Sequence, residues 1–266
     1  MRLLTLSEGA RRFVRDNEGG KPDELWRGDA YDPHQPDAEP VPLYLRIGQP
    51  APLVAELLCA VVARLLGLPA PEPFVVLIEP GAMAESALLD NTQRQLCVGT
   101  RDIGGSTFAQ LLNNDSATAH RMIRQWEHLI PVTTLDEWLA NPDRNFGKIL
   151  YTAHTLHIID HAEAFGGSAR KLFPLAEISD HAFTNRLAVL LEGPNASERQ
   201  KLLNTVREWV TFTAGRLDIG ATVASANIKR WQSAAEEAEL IHFISERLKI
   251  THRLLCHRLG HPQLAI

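Results

Sequence analysis

The chain has 266 residues, 45% hydrophobic and 22% charged, with a formal net charge of −5. This length can bury a full core in one large domain or two lobes, and the acidic balance argues against general nucleic-acid binding. No apolar run approaches the roughly 20 residues that cross a bilayer, and the N-terminal residues fit no secretory signal. Three widely spaced cysteines without CxxC pairing fit buried thiols in a reducing compartment, so we expect a cytoplasmic protein without a membrane segment.

The first hundred residues are predicted to combine strands with one helix. Prolines and acidic residues are frequent at positions 28–42, which favours an exposed loop at the top of a hairpin. A helix is predicted over 52–66, because apolar residues occupy nearly all its faces and Gly67 and Pro69 stop it. Four strands are predicted from apolar runs and alternation: 24–27, 43–47, 74–78 and 94–99.

The remainder of the chain is predicted to be mainly helical, with one β interruption at 148–159. The apolar and basic pattern at 226–259 indicates an amphipathic helix or helix pair that packs on this larger region. A partner-binding helix is the alternative for that segment. The predicted helices are 108–113, 117–126, 131–139, 183–191, 197–214 and 226–259.

Two carboxylates flank the β interruption. Asp143 lies in a polar turn, NPDRNFGK at 141–148, and Asp160 directly follows an apolar run. Metal-assisted phosphoryl transfer needs one group that orients or deprotonates the acceptor hydroxyl and one that holds Mg²⁺ on the nucleotide phosphates. Alone, Asp143 would fit a type I turn and Asp160 a strand-end cap or an ion pair. Their joint placement favours the functional interpretation.

These motifs resemble the HipA-like branch of the protein-kinase superfamily, whose members read N-x-D-R-x-x-x-N and then I-D-H-G-x-A-F. The second motif stands here as IDHAEAFG at 159–166. The resemblance implies an α+β, bilobal protein-kinase-like fold, with a small β-rich N-lobe (1–100) and a larger helical C-lobe (101–266). It also implies an ATP- and Mg²⁺-dependent kinase, with Asp143 as base and Asp160 as metal ligand. Such kinases often act on serine or threonine of a protein target, and they are often linked to bacterial toxin–antitoxin systems.

A second pair of charged residues lies in the predicted N-lobe. Glu56 is the only acidic residue in the apolar helix predicted at 52–66, so if buried it needs a cationic partner. Arg46, on the preceding strand, is the candidate. In kinases the corresponding pair is a lysine and a helix glutamate that set the nucleotide phosphates, so the resemblance implies nucleotide binding by Arg46 and Glu56. Arginine keeps the charge but is bulkier and forked. A purely structural pair and an exposed arginine are the alternatives.

Lys148 stands where the family carries an asparagine that ligates Mg²⁺. A protonated lysine cannot coordinate a cation. Either Asn145 or a neighbour supplies the missing oxygen, or Lys148 contacts phosphate directly and replaces one metal ion. The third possibility is lost catalysis, which would leave a pseudokinase that binds nucleotide or a protein partner.

The hinge between lobes is predicted just after the strand at 94–99. Backbone groups there could meet an adenine edge, and we assign Val98 and Gly99 to nucleotide binding on this basis. The pair Gly104-Gly105 falls in the same region, and Gly19-Gly20 falls where a kinase-like fold covers the phosphates. Ordinary loop glycines are the simpler interpretation of both pairs.

Three histidines near the second motif, His154, His157 and His161, raise the question of a zinc site. Their spacing has no cysteine support and lacks the helical HExxH context. We therefore do not predict zinc binding.

Overall fold

The computed structural model describes residues 1–7, 9–13, 24–153, 155–191 and 195–260. Gly19-Gly20 and His154 lie outside these residues. The fold is mixed α+β, with a β-rich sheet in the N-terminal region and a helical C-terminal region, as expected. The first sheet ends at Arg101, but the division into lobes at 100 and 101 stays a prediction.

Six strands form one mixed sheet in the order β1-β5-β6-β4-β3-β2. Strand β1 runs parallel to β5, and the other neighbours are antiparallel. The sequence pattern missed β1, because a run of four residues carries too little periodicity to separate strand from helix. The strands are β1 (Leu3–Leu6), β2 (Arg11–Arg12), β3 (Glu24–Ala30), β4 (Val41–Ile47), β5 (Pro73–Ile78) and β6 (Gln95–Arg101).

The predicted hairpin is present as β3 and β4, but both strands extend into the segment predicted as loop. Residues 28–30 and 41–42 belong to the ladder, so the connecting loop is shorter than expected. Strand β4 carries Pro42, which has no backbone N–H, near its beginning. A proline is tolerated at the start of a strand, so the loop predicted from the composition of 28–42 was too long.

Side chains alternate across the sheet, so each face has its own core. Leu43 and Leu45 of β4 pack in a small cluster with Phe74 on the face away from the helices. Val75 and Val98 point the other way and join the main core, which includes helix α1 (Pro50–Leu65) and the helical region. This second face is the one on which Arg46 meets the helix.

Helix α1 confirms the prediction of a buried apolar helix after β4. It begins at Pro50, two residues earlier than expected, because proline suits the first helical positions. Ten of its side chains are buried, and Gly67 follows with a φ of 72°. Glycine adopts this left-handed backbone without steric cost, so the helix ends there.

A second sheet has three strands in the order β7-β8-β9, joined to the first by a glycine turn. Gly105 has a φ of 90°, and a Cβ there would collide with the carbonyl oxygen of Tyr151, so glycine is required. The second sheet consists of β7 (Ser106–Thr107), β8 (Ile149–Thr152) and β9 (Thr155–Ile158).

The helical region differs from the sequence prediction mainly in where individual helices begin and end and in the type of one helix. The segment predicted as helix at 183–191 is a short 3-10 helix, Arg186–Leu191, and the run at 226–259 yields one long helix that starts only after the capping residue Ser233. A short helix at 219–225 was missed. The α-helices are α2 (Phe108–Asn114), α3 (Ser116–Gln125), α4 (Leu129–Trp138), α5 (Ala196–Glu208), α6 (Ile219–Ser225) and α7 (Ala234–Arg258).

Arg247 of α7 fixes the end of α4, from which the Asp143 turn departs. Its side chain is fully buried and donates to the carbonyl oxygens of Glu137 and Trp138 at 2.6 and 3.0 Å. It also donates to the carbonyl oxygens of Ser179 and His181. The last carbonyls of a helix lack intrahelical partners, so one arginine satisfies them and locks the start of the turn.

Among the described residues, no helix is both long and apolar enough to cross a bilayer.

Candidate active site

The β8–β9 hairpin brings the two motif carboxylates together. A 3-10 turn, Phe146–Lys148, connects the Asp143 loop to β8, and β9 returns the chain to Asp160. The N–H of Ile159 donates to the carbonyl oxygen of Lys148 at 3.1 Å, so pairing continues beyond the strands. Asp143 and Asp160 therefore lie at the two ends of a short hairpin, as the sequence predicted, and Lys148 contacts both of them.

Five charged side chains form what we call the cleft cluster: Arg46, Glu56, Asp143, Lys148 and Asp160. The Nζ of Lys148 lies 2.5 Å from Oδ2 of Asp143 and 3.4 Å from Oδ2 of Asp160. The Nη2 of Arg46 donates to Oδ1 of Asp160 at 2.8 Å. The predicted contact between Arg46 and Glu56 is present at 4.0 Å, but the shorter ion pair of Arg46 is with Asp160.

Glu56 is the buried carboxyl that helix α1 contributes to this cluster. Its Oε2 accepts a hydrogen bond from the backbone N–H of His161 at 2.7 Å. Burial raises the pKa of Glu56, and the positive charge of Arg46 opposes that rise. The carboxyl therefore ties helix α1 directly to the Asp160 segment.

Asp160 sits on a strained backbone, with a φ of 58°. Aspartate is one of the few residues besides glycine that visits this left-handed region. The flanking segment is held on both sides, because Arg144 donates to the carbonyl oxygen of Ile159 and His161 donates to Glu56. Positive φ at a residue held this firmly is a recurring feature of functional sites.

A second group of polar side chains lies beneath the Asp143 loop, and we call it the scaffold cluster: Asp136, Asn141, Arg144 and His161. Arg144 is fully buried, and its Nε donates to Oδ2 of Asp136 at 3.1 Å. Asn141 also donates to Asp136, at 2.9 Å. In the sequence, Arg144 is recognisable only as part of a D-R motif. The structure shows that it positions both ends of the hairpin, through the carbonyl oxygens of Lys148 and Ile159.

His161 completes the scaffold cluster as a neutral imidazole. Burial depresses its pKa well below the usual range, and the nearby Arg144 guanidinium depresses it further. Its Nδ1 lies 2.8 Å from Nη2 of Arg144, which can only donate, so Nδ1 accepts and Nε2 carries the proton.

In the described part of the chain, no three His, Cys, Asp or Glu side chains gather to hold a metal.

Asn145 lies beside Asp143. Its amide oxygen accepts from the N–H of Gly147 at 2.8 Å and caps the 3-10 turn. Its amide nitrogen donates to Oδ1 of Asp143 at 3.3 Å. These contacts give Asn145 a role in holding Asp143, and its role as a metal ligand stays a prediction.

Val98 and Gly99 do not lie at an open edge. Strand β6 runs between β4 and β5, and both residues are paired on each side. A Cβ on Gly99 would lie 2.8 Å from Cγ2 of Val76, so this glycine is explained by close packing. Their predicted backbone contact with adenine is therefore corrected: the backbone of a central strand is occupied by its neighbours. Backbone pairing even continues past the end of β6, because the N–H of Asp102 donates to the carbonyl oxygen of Pro42 at 2.8 Å.

A pocket lies against the cleft cluster, and its lining carries more basic than acidic side chains. Arg46 and Lys148 line it together with Arg170 and Lys171, and the first turn of α1 forms another wall. Arg170 and Lys171 belong to a 3-10 helix that starts after Gly166. Sequence reasoning missed both residues. Their position directly after the second motif was the signal that could have drawn attention to them.

Arg186 is a further residue that the sequence interpretation missed. Its Nη2 lies 3.8 Å from Oδ1 of Asp143. It begins the 3-10 helix that was predicted as an ordinary helix, and no local motif marks it. Only the packing of that helix near the Asp143 loop reveals the contact.

The donor set fits one Mg²⁺ that enters with a nucleotide. Mg²⁺ in kinase-type sites binds one or two carboxylates and completes its shell with phosphate oxygens and water. Asp160 is the available carboxylate, and both of its oxygens face cations, Arg46 and Lys148. Phosphates would attract these two cations and make room at Asp160. A site built from protein ligands alone does not fit, because Lys148 occupies the position of the family asparagine.

The comparisons with known proteins agree with this geometry. A family model described as HipA-like kinase matches residues 47–212, more than half of the chain. Among solved structures, the proinflammatory kinase CtkA of Helicobacter pylori aligns with a TM-score of 0.56 at 11% identity, covering 97% of this chain and 98% of that one. At this identity the likeness shows the fold alone. The comparison with curated proteins finds no match. The chain belongs to the HipA-like kinase family.

Proposed function

We propose that this protein is an ATP-dependent kinase that phosphorylates serine or threonine of a protein target and uses Mg²⁺. The supporting observation is the cleft cluster, in which residues of β4, α1, the Asp143 loop and the Asp160 segment converge. Carboxylates and cations assembled at a basic pocket match what phosphoryl transfer requires: positioning and charge stabilisation. Membership of a kinase family supports the reaction class.

Asp143 is proposed as the base that accepts the proton of the acceptor hydroxyl. Its side chain is 25% exposed, whereas those of Lys148 and Asp160 are almost fully buried. An acceptor can therefore reach Asp143 without entering the pocket. A general base needs hydrogen-bond reach to the proton it removes more than it needs a shifted pKa.

Arg46 and Lys148 are proposed to bind the nucleotide phosphates, and Glu56 to hold Arg46 in place. Both cations line the pocket, and each is paired with a carboxylate of the cleft cluster. Phosphate oxygens compete well for such groups, because guanidinium and ammonium bond strongly to anions. When bound, Mg²⁺ would neutralise phosphate charge beside Asp160. Val98 and Gly99 are left out of this proposal.

The biological setting rests on the family resemblance. A cytoplasmic location, a protein substrate or regulatory partner, and a role in a toxin–antitoxin or other regulatory system are proposals of this kind. The net charge of −5 supports the expectation that nucleic acid is not the direct ligand. Phosphoryl transfer is the property to test first, because every one of these settings depends on it.

Transfer from radiolabelled ATP with Mg²⁺, to a mixture of candidate proteins, tests the reaction. Asp143→Ala should lower transfer by about 10²- to 10⁴-fold, the range for a lost general base. Asp37→Ala, in an exposed loop, is the matched control and should retain full transfer. Label incorporation in Asp143→Ala equal to that of the wild type would exclude Asp143 as the base.

A catalytically inactive nucleotide-binding protein is the second candidate. It is favoured by Lys148, which contacts both Asp143 and Asp160 and replaces the family asparagine. If the protein is an active kinase, Lys148→Ala should reduce transfer strongly and Lys148→Asn should retain it. If it is a pseudokinase, the wild type should show no transfer while ATP still raises its melting temperature. Robust transfer that is indifferent to Lys148 would exclude the phosphate role of this lysine.

A further inference from the structure

Arg186 and Lys148 contact different oxygens of Asp143. Lys148 lies 2.5 Å from Oδ2, and Arg186 lies 3.8 Å from Oδ1. Their side chains are 6% and 54% exposed, respectively. Oδ2 therefore faces the buried pocket, and Oδ1 lies on the solvent side. An acceptor that approaches Asp143 from solvent meets the guanidinium of Arg186.

The backbone at Arg186 is anchored, although its side chain is half exposed. The preceding Asn185 is buried, and its amide nitrogen donates to the carbonyl oxygen of Thr133 at 2.9 Å and to Glu137 at 3.1 Å. The following Leu187 is buried in the main core. An anchored backbone with an exposed guanidinium is an arrangement suited to binding a ligand selectively at the edge of a site.

The contact between Arg186 and Asp143 is weak enough to be exchanged. It is long, half exposed to solvent, and it does not have the paired short bonds of a bidentate arginine–carboxylate contact. Asp143 is the one ion-pair partner of Arg186 that the described residues supply. A carboxylate carried by an incoming peptide could offer two oxygens at hydrogen-bond distance, and Arg186 would then gain the stronger partner.

We propose that Arg186 selects acceptor peptides that carry aspartate or glutamate next to the phosphorylated serine or threonine. This inference rests on the proposed function, because it takes Asp143 as the group that receives the acceptor hydroxyl. The hydroxyl must come within hydrogen-bond reach of Asp143. Residues of an extended peptide are about 3.3 Å apart, so an acid one or two positions away lies within reach of the guanidinium.

Peptide binding measured by fluorescence anisotropy tests this selection without requiring turnover. Two labelled peptides share one central serine and differ only in flanking residues, aspartates in one and lysines in the other. They are titrated with the wild type, Arg186→Ala, Arg186→Glu and Arg253→Glu. Arg253 is exposed on α7 and makes none of the contacts described above, so its reversal is a control for net charge.

The wild type and Arg253→Glu should bind the acidic peptide about tenfold more tightly than the basic one. Arg186→Ala should remove this preference, and Arg186→Glu should reverse it. Added salt should weaken the preference, because an exposed charge contact is screened. Equal wild-type affinities for both peptides would overturn the proposal, and so would an acidic preference that survives in Arg186→Glu.

Phosphoryl transfer to the same two peptides separates the two proposals. Wild-type transfer with no discrimination between the peptides would refute the role of Arg186 and leave the kinase proposal standing. Discrimination in binding, with no transfer to any acceptor, would refute the proposed function instead. A higher kcat/KM for the acidic peptide, lost in Arg186→Ala mainly through KM, would support both.

Discussion

The scaffold cluster and the cleft cluster both contain an arginine–aspartate pair, but they differ in what can reach them. Arg144 of the scaffold cluster is fully buried, and its carboxylate partner Asp136 is only 2% exposed. The cleft cluster borders a pocket, and its Asp143 side chain is 25% exposed. The first cluster has protein partners only, whereas the second can exchange its partners with a ligand. Access to solvent separates the structural cluster from the proposed catalytic one.

The two clusters are also physically connected. The backbone N–H of His161 donates to Glu56 while its ring contacts Arg144. Arg144 in turn donates to the carbonyl oxygen of Lys148. The scaffold cluster therefore supports the geometry of the cleft cluster, as residues behind a functional site commonly do.

The largest effect should come from removing the arginine of the scaffold cluster. Arg144→Ala leaves the Asp136 charge buried without its cation and removes a donor from the carbonyl oxygens of Lys148 and Ile159. We therefore expect a loss of about 3–5 kcal/mol in the free energy of unfolding. Urea denaturation measures this. Arg46→Ala should cost less, because Lys148 still lies 3.4 Å from Asp160 and the N–H of His161 still donates to Glu56. Equal losses in the two variants would erase the distinction between the clusters.

The next effect concerns nucleotide binding at the cleft cluster. ATP with Mg²⁺ at a hundredfold excess over Kd should stabilise the wild type by about 2.7 kcal/mol. Asp160→Asn should lose most of this gain while keeping its fold, since asparagine tolerates the positive φ found there. Asp136→Asn should show the opposite result, with lower stability but a retained nucleotide effect. Thermal unfolding with and without ATP distinguishes them. A full nucleotide effect in Asp160→Asn would exclude Asp160 from binding.

The smallest effect is a pH dependence that arises in the scaffold cluster. Because the pKa of His161 is depressed in the folded protein, the unfolded chain binds a proton first as pH falls. Folding stability should therefore decrease below pH ~6.5, by at most about 1.4 kcal/mol per pH unit. His161→Gln keeps an acceptor for Arg144 but does not titrate, so the decrease should be shallower. His157 and His252 have lowered pKa values too, but they contribute equally to both proteins. Parallel stability curves for the two proteins would contradict this account.

Much of the fold could be predicted from local pattern. The apolar helix with a single glutamate became α1, and the turn chemistry around Asp143 led into a hairpin that ends at Asp160. These features depend on residues near one another in the chain, where periodicity and turn preference act directly. The errors occurred where local signals were short or ambiguous, as in β1 and in the 3-10 helix Arg186–Leu191.

The choice of ion-pair partners could not be predicted in the same way. Arg46 was expected to pair with Glu56, yet its short bond is with Asp160, which is 114 residues away in sequence. The contacts of Lys148 with both Asp143 and Asp160 were likewise not predicted. Several charges share one small volume, and which of them pair depends on distances that packing of distant segments sets.

The sequence by itself determined that two carboxylates would meet at the ends of a hairpin and that one glutamate would be buried in an apolar helix. Only the tertiary structure decided that Arg144 is structural, that Val98 and Gly99 lie inside a sheet, and that Arg186 reaches Asp143. The physical reason is range. Backbone preference and periodicity act over a few residues, whereas burial, strand order and charge pairing depend on segments that meet only when the chain folds.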